Sequence, residues 1–81
     1  MKAVPNNREL SRYGISVSKR VGGAVVRNRV RRRLREIMRQ LPLEPGWDVV
    51  LIARPPAAGA DYTSLYRQVA GLLKEAGLMA A

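Results

Sequence analysis

Between Arg27 and Arg39 the chain carries seven arginines and a single glutamate. A guanidinium grips a phosphate through two parallel N–H donors and lays its plane on an exposed base, which a lysine ammonium cannot do. The chemistry on offer is therefore recognition of a polyanion rather than bond cleavage. Like charges four apart on a helix, such as Arg27 with Arg31, Arg29 with Arg33 and Arg31 with Arg35, each cost an isolated helix about 0.2–0.5 kcal/mol. A merely solvated helix would alternate its signs. This one accepts repulsion that phosphates would relieve, with counterion release supplying affinity. Asn28 is the neutral member of the run. Its amide can read a base edge or orient a neighbouring arginine, and the plainer alternative is a solvated residue or early helix cap.

What is missing narrows the chemistry further. The 81 residues include no Cys and no His, which excludes disulfides, thiolate nucleophiles, histidine bases and the usual zinc sites. Arginine outnumbers lysine twelve to three, and the net charge is +9 with a pI near 11.4. The charge is also local. Residues 1–41 hold twelve basic and two acidic side chains, a balance of +10, whereas residues 42–81 hold three and four, a balance of −1. Lys19, Arg20 and Arg39 extend the basic patch beyond the 27–35 run. No apolar run approaches the roughly 20 residues that cross a bilayer, and the N-terminus lacks the apolar segment of a signal peptide. A cytoplasmic protein with no membrane partner is expected.

A chain this short forms one domain and buries only about 60–65% of its unfolded surface. Lys2 to Pro5 reads as the end of a strand, followed by a polar turn at Asn6-Asn7-Arg8-Glu9. From Arg12 to Lys19, Tyr13, Ile15 and Val17 alternate with Gly14, Ser16 and Ser18, the period of a strand covered on one face. Tyr13 is expected in the core. Ser16 and Ser18 either line a groove for an extended polyanion strand or allow close packing. After Gly22-Gly23 the period changes to 3.6, from Ala24 to about Leu41, where Pro42 ends it. Val26, Val30, Leu34, Ile37, Met38 and Leu41 share one stripe of this helix, and Asn28, Arg32, Arg35 and Arg39 lie opposite.

Pro42 to Gly46 reads as a linker, and Trp47 to Ala53 as a central strand covered on both faces. Asp61 is a candidate N-cap for a second helix. Its apolar stripe is Leu65, Val69, Leu72, Leu73 and Ala76, and Gly77 is its stop. Tyr62 and Tyr66 are expected to be half-buried with wet hydroxyls. Both helices must cover one small sheet, which makes an α+β two-layer sandwich the economical architecture.

The segment Val21-Gly22-Gly23-Ala24-Val25-Val26-Arg27-Asn28-Arg29-Val30-Arg31-Arg32-Arg33-Leu34-Arg35 resembles the signature helix of the bacterial ribonuclease P protein component. Gly14 to Arg20, Trp47 to Arg54 and Tyr62 to Leu78 follow the family's order, so the resemblance covers nearly the whole chain. It implies a noncatalytic subunit of a ribonucleoprotein endonuclease. There a catalytic RNA binds Mg2+ and removes the 5′ leader of precursor tRNA, and the protein holds no metal tightly. It also implies RNA contacts at Arg27, Asn28, Arg29, Arg32 and Arg35, with Arg31 and Arg33 adding charge. A further implication is a left-handed strand-helix-strand crossover, against the usual hand. The departure is at the front. Read as one RNA-binding domain over 1–81, the chain lacks the family's N-terminal helix and first strand. That weakens the expected leader groove and leaves an edge open to strand exchange between copies.

Two other classes compete. A ribosomal or DNA-binding protein could place the same helix in a major groove, but the strand feeding the helix and the Asn within the Arg run argue against it. A membrane-surface element is opposed by an apolar stripe already claimed by the sheet.

Overall fold

The protein is described by a computed structural model over residues 1–80. Its elements in chain order are β1 (Lys2–Pro5), β2 (Arg12–Val17), α1 (Ala24–Gln40), β3 (Trp47–Ala53) and α2 (Tyr62–Glu75), with short 3-10 turns at Lys19–Val21 and Pro55–Gly59. The sheet order is β1-β3-β2, with β1 antiparallel and β2 parallel to β3. Parallel neighbours cannot be joined by a hairpin, so the chain must leave the sheet and return. The return is α1, which is thereby held across the sheet.

Register sorts the side chains. Tyr13, Ile15 and Val17 lie beside Val49, Leu51 and Ala53 on one face, and Gly14 and Ser16 lie beside Val50 and Ile52 on the other. Val49, Leu51 and Ala53 are buried together with Val30, Leu34, Ile37 and Met38 of α1 and Leu65, Val69 and Leu73 of α2. Both helices thus cover the same face, as a two-layer α+β sandwich requires.

The other face is open, which corrects the expectation that β3 is covered on both sides. Val50 and Ile52 are 39% and 38% exposed, and Val4 of β1 is 56% exposed. An uninterrupted apolar run marks a central strand, but it cannot say how many layers the chain has residues to build. Tyr13 is likewise 37% exposed: it begins an edge strand, and burial deepens only along Ile15 and Val17. In α2, Leu72 is 43% exposed and Ala76 is exposed, so the stripe contracts to Leu65, Val69 and Leu73 and is continued by Leu78.

The ends of the helices are set by local chemistry. Gly22 approaches so closely that a Cβ there would lie 3.0 Å from Val26, at a φ of 155° that side chains disfavour. Only glycine therefore suits the point where the 3-10 turn hands over to α1. Leu41 has already left the helix, at φ −97° and ψ 125°, yet stays buried. The Asp61 carboxylate accepts from the Ser64 backbone N–H at 2.8 Å, the expected N-cap, and this bond holds its carboxyl below the ordinary range. At the far end Gly77 adopts φ 71°. Leu78 N–H donates to the Leu73 carbonyl and Gly77 N–H to that of Lys74, the paired bonds of a left-handed helix stop. The tail then fastens onto the supposed linker. Glu44 N–H donates to the Leu78 carbonyl, Ala80 N–H to that of Pro42, and Leu43 bridges Met79. No helix is long and apolar enough to cross a membrane among the described residues.

A polar network closes one end of the open face. Arg12 donates from Nε and Nη2 to both oxygens of Asp48, at 2.9 and 2.6 Å, and Asn6 donates to Asp48 at 2.8 Å. The Arg12 hydrogen bond, helped by Asn6, lowers the Asp48 pKa from the ordinary 3.8 to about 2. Since the folded value lies below the unfolded one, the contribution of this pairing is complete above 3.8 and is lost as pH falls through about 2. In urea titrations, Asp48→Asn should lower the midpoint near neutrality and show a shallower decline than the parent across this window. Equal declines in both proteins would show that the pairing contributes nothing.

Candidate nucleic-acid interface

α1 is the platform of the basic surface because its buried stripe fixes its rotation. With Val30 and Ile37 at 0% exposure, the residues opposite them must face water: Asn28, Arg32, Arg35 and Arg39 are all exposed, as is Arg29. Arg27, Arg31 and Arg33 flank the stripe and are half-buried. Lys19 and Arg20 are exposed on the 3-10 turn that leads into the helix. The sequence-predicted basic residues therefore fall on one connected surface running from that turn along α1.

Little on the protein neutralises it. Among the described residues the one ion pair on α1 joins Arg39 to Glu36 at 3.4 Å, with side chains 65% and 53% exposed, a geometry of little energetic weight. Asn28 accepts from Arg31 at 2.8 Å, so its amide orients a neighbouring guanidinium. The Nε of Arg27 is shut off from solvent and has no hydrogen-bond partner among the described residues.

Two arginines are engaged by the protein's own backbone. Arg29 reaches the Ala58 carbonyl at 3.4 Å and Arg33 the Ala60 carbonyl at 3.1 Å. They are four apart, hence on one side of the helix, and their shared target is the turn that delivers the chain to Asp61. Like charges at this spacing are tolerated because each meets the partial negative charge of a carbonyl. Arg32 and Arg35 have no hydrogen-bond or ion-pair partner among the described residues. Arg33→Ala should therefore lower unfolding stability by about 1.5–3 kcal/mol, the range for a hydrogen bond from a charged donor. It should leave the salt dependence of RNA binding unchanged. A slope lowered by about one ion would instead identify Arg33 as a phosphate contact.

The serines separate. Ser16 sits on the open sheet face beside Ile52. Ser18 lies past the end of β2, contrary to its expected place on the strand, and its hydroxyl accepts from the Arg20 backbone N–H at 3.2 Å as the cap of the 3-10 turn. Alternation alone had kept it on the strand. The chain turns there because Ser18 N–H completes the last bond to the Ala53 carbonyl.

The sequence reading passed over a hollow of about 480 Å3 bounded by Arg29, Arg32, Arg33, Glu36 and Tyr62. Tyr62 is half-buried, as expected, and its hydroxyl accepts from the Gln40 amide at 2.9 Å. Its ring lies 6.4 Å from that of Tyr66, tilted by 31°. Only tertiary packing brings the start of α2 against α1, so no spacing along the chain could announce this grouping. Among the described residues no three acidic side chains gather as a metal-binding group would need.

Comparison with known proteins gives a consistent result. The family model described as ribonuclease P matches residues 1–77. The ribonuclease P protein component of Dehalococcoides mccartyi strain 195 is 53% identical over 79 residues, covering 98% of this chain and 66% of that protein. That of Roseiflexus castenholzii is 51% identical over 82 residues, covering 98% and 67%. The chain thus spans about two thirds of the length of these relatives. Among solved structures, the RNase P protein of Staphylococcus aureus superposes with a TM-score of 0.82 at 31% identity, covering 96% of this chain and 73% of that one.

Proposed function

Because the chain belongs to the family of ribonuclease P protein components, we propose that it is the protein subunit of a ribonuclease P, a single RNA-binding domain that holds the catalytic RNA and assists removal of the 5′ leader from precursor tRNA. The observation that carries the proposal is the outward surface of α1, where guanidinium groups stand with almost no acidic compensation on an element whose rotation the core fixes. Lys19, Arg20, Arg27, Asn28, Arg29, Arg31, Arg32, Arg35 and Arg39 form the contact surface. Asn28 holds Arg31 in place, and Arg33 braces the side of the helix that faces the turn before α2.

The division of labour follows from the residues. Bond cleavage needs an activated water and stabilisation of the charge developing on phosphate, and a metal ion supplies both. In this reading the ion is held by the RNA, and the protein works on the two polyanions around it. What the protein contributes is positive potential, which draws two polyanions together and lowers the Mg2+ concentration they require. Ser16, beside the exposed Val50 and Ile52, gives the open sheet face small and apolar contacts for the single-stranded leader. A cytoplasmic location accompanies this reading.

The test is reconstitution. The protein is combined with the ribonuclease P RNA of the same genome and a precursor tRNA, and 5′ leader release is followed at low Mg2+. Stimulation over RNA alone is expected. No stimulation over a range of protein concentrations and salt would remove the assignment.

A further inference from the structure

Resting on the reading above, we propose that the hollow between the outward side of α1 and the start of α2 is a binding site for one unpaired guanosine of the partner RNA. In this site the base lies on the Tyr62 ring, its Watson–Crick edge meets Glu36, and its phosphate meets Arg32.

The hollow is large enough. With about 480 Å3 of space and a wide opening to solvent, it would hold one base against its wall rather than enclose it. It also has a platform that is held still before anything binds. Tyr62 is fixed at its hydroxyl by Gln40 of α1 and flanked by Tyr66 one helical turn along α2. A ring restrained on two sides loses little freedom when a base stacks on it, and stacking on aromatic side chains is the common way proteins take hold of unpaired bases.

The charged groups around the ring divide into frame and contact. Arg29 and Arg33 are tied to the Ala58 and Ala60 carbonyls and build the wall. Arg32 has no partner among the described residues, so its five donors remain for a phosphate.

Glu36 gives the site its selectivity. It is the only acidic residue within α1, and a carboxylate on a phosphate-binding helix repels the backbone it stands beside. The part of an RNA that a carboxylate attracts is a base edge rich in donors. Guanine presents N1–H and the N2 amino group side by side, matching two carboxylate oxygens. Adenine and cytosine offer one amino group next to an acceptor, and uracil a single imino donor. Arg39 lies 3.4 Å from one Glu36 oxygen, a weak and exposed pairing that leaves the carboxylate free to accept from a base.

The experiment probes the N1 and N2 positions of guanines with a dicarbonyl reagent of the kethoxal type, in the complex of the full chain with the ribonuclease P RNA of the same genome. Parent, Glu36→Gln, Tyr62→Phe and Tyr62→Leu are compared. One guanine should be protected by the parent and by Tyr62→Phe, which keeps the ring. It should become about tenfold more reactive with Glu36→Gln or Tyr62→Leu, the scale of one lost stacking contact. Should Tyr62→Leu fail to fold, Glu36→Gln, an exposed change, still decides. The site is overturned if the complex forms and no guanine responds to either residue, or if an adenine or uracil responds instead under a reagent for those bases. Leader release by the same parent complex reports separately on the subunit assignment, which survives loss of the guanosine site.

Discussion

Replacing Arg32 and Arg35 together by alanine should weaken binding to the ribonuclease P RNA by roughly 100-fold at moderate salt, taking each hydrogen bond from a charged donor at about 1.5 kcal/mol. The slope of log affinity against log salt should fall by about 1.4–1.8, the counterions released by two phosphate contacts. These two are chosen because neither has a hydrogen-bond or ion-pair partner among the described residues, so nothing inside the protein is broken. Thermal unfolding should stay within about 0.5 kcal/mol of the parent, as for other surface changes. Parallel salt lines for parent and variant would show that the outward face of α1 does not touch phosphate. Arg29→Ala would be a poorer choice, since it also releases the Ala58 carbonyl and mixes two effects.

The second large effect is on folding. Ile37→Ala should cost about 2–5 kcal/mol, because it empties a site at 0% exposure where α1 meets the sheet. A domain of this size is stable by only about 4–12 kcal/mol, so the variant loses a large share and its melting temperature should drop by roughly 10–30 °C. Its arginines are untouched. In the cold, where it remains folded, the salt slope for RNA should match the parent. Saturating RNA should also raise its melting temperature, since only the folded state presents the ordered surface. A melting temperature within a few degrees of the parent would mean that the α1 stripe is not the keystone of the core.

How far the residues announced this arrangement depends on the range over which each signal acts. The 3.6-residue period in α1 placed Arg32 and Arg35 outward without any coordinates, because Val30, Leu34 and Ile37 can be buried in only one rotation. Asp61 and Gly77 gave the limits of α2 because caps act within a single turn. The two-layer sandwich followed from counting elements. What escaped were features made by distant segments meeting. The apolar run of β3 could not reveal that Val50 and Ile52 remain open, since that depends on layers absent from the sheet's other side. The tie from Arg33 to Ala60 was hidden because a carbonyl has no sequence identity. Family resemblance named the basic residues as one set, and the geometry divides them into those that face outward and those that brace.

The fastening of residues 78–80 onto 42–44 has a practical consequence. A helix of seventeen residues is about 25 Å long, and this clasp sits at the end of α1 away from Lys19 and Arg20. A fluorophore or surface linker attached at this clasp would thus sit at the far pole from the approach to the helix, leaving that approach unobstructed for immobilised binding assays. Trimming the chain back to Glu75 would instead unhook the strap, remove the plug formed by Leu78, and let water in beneath the last turn of both helices.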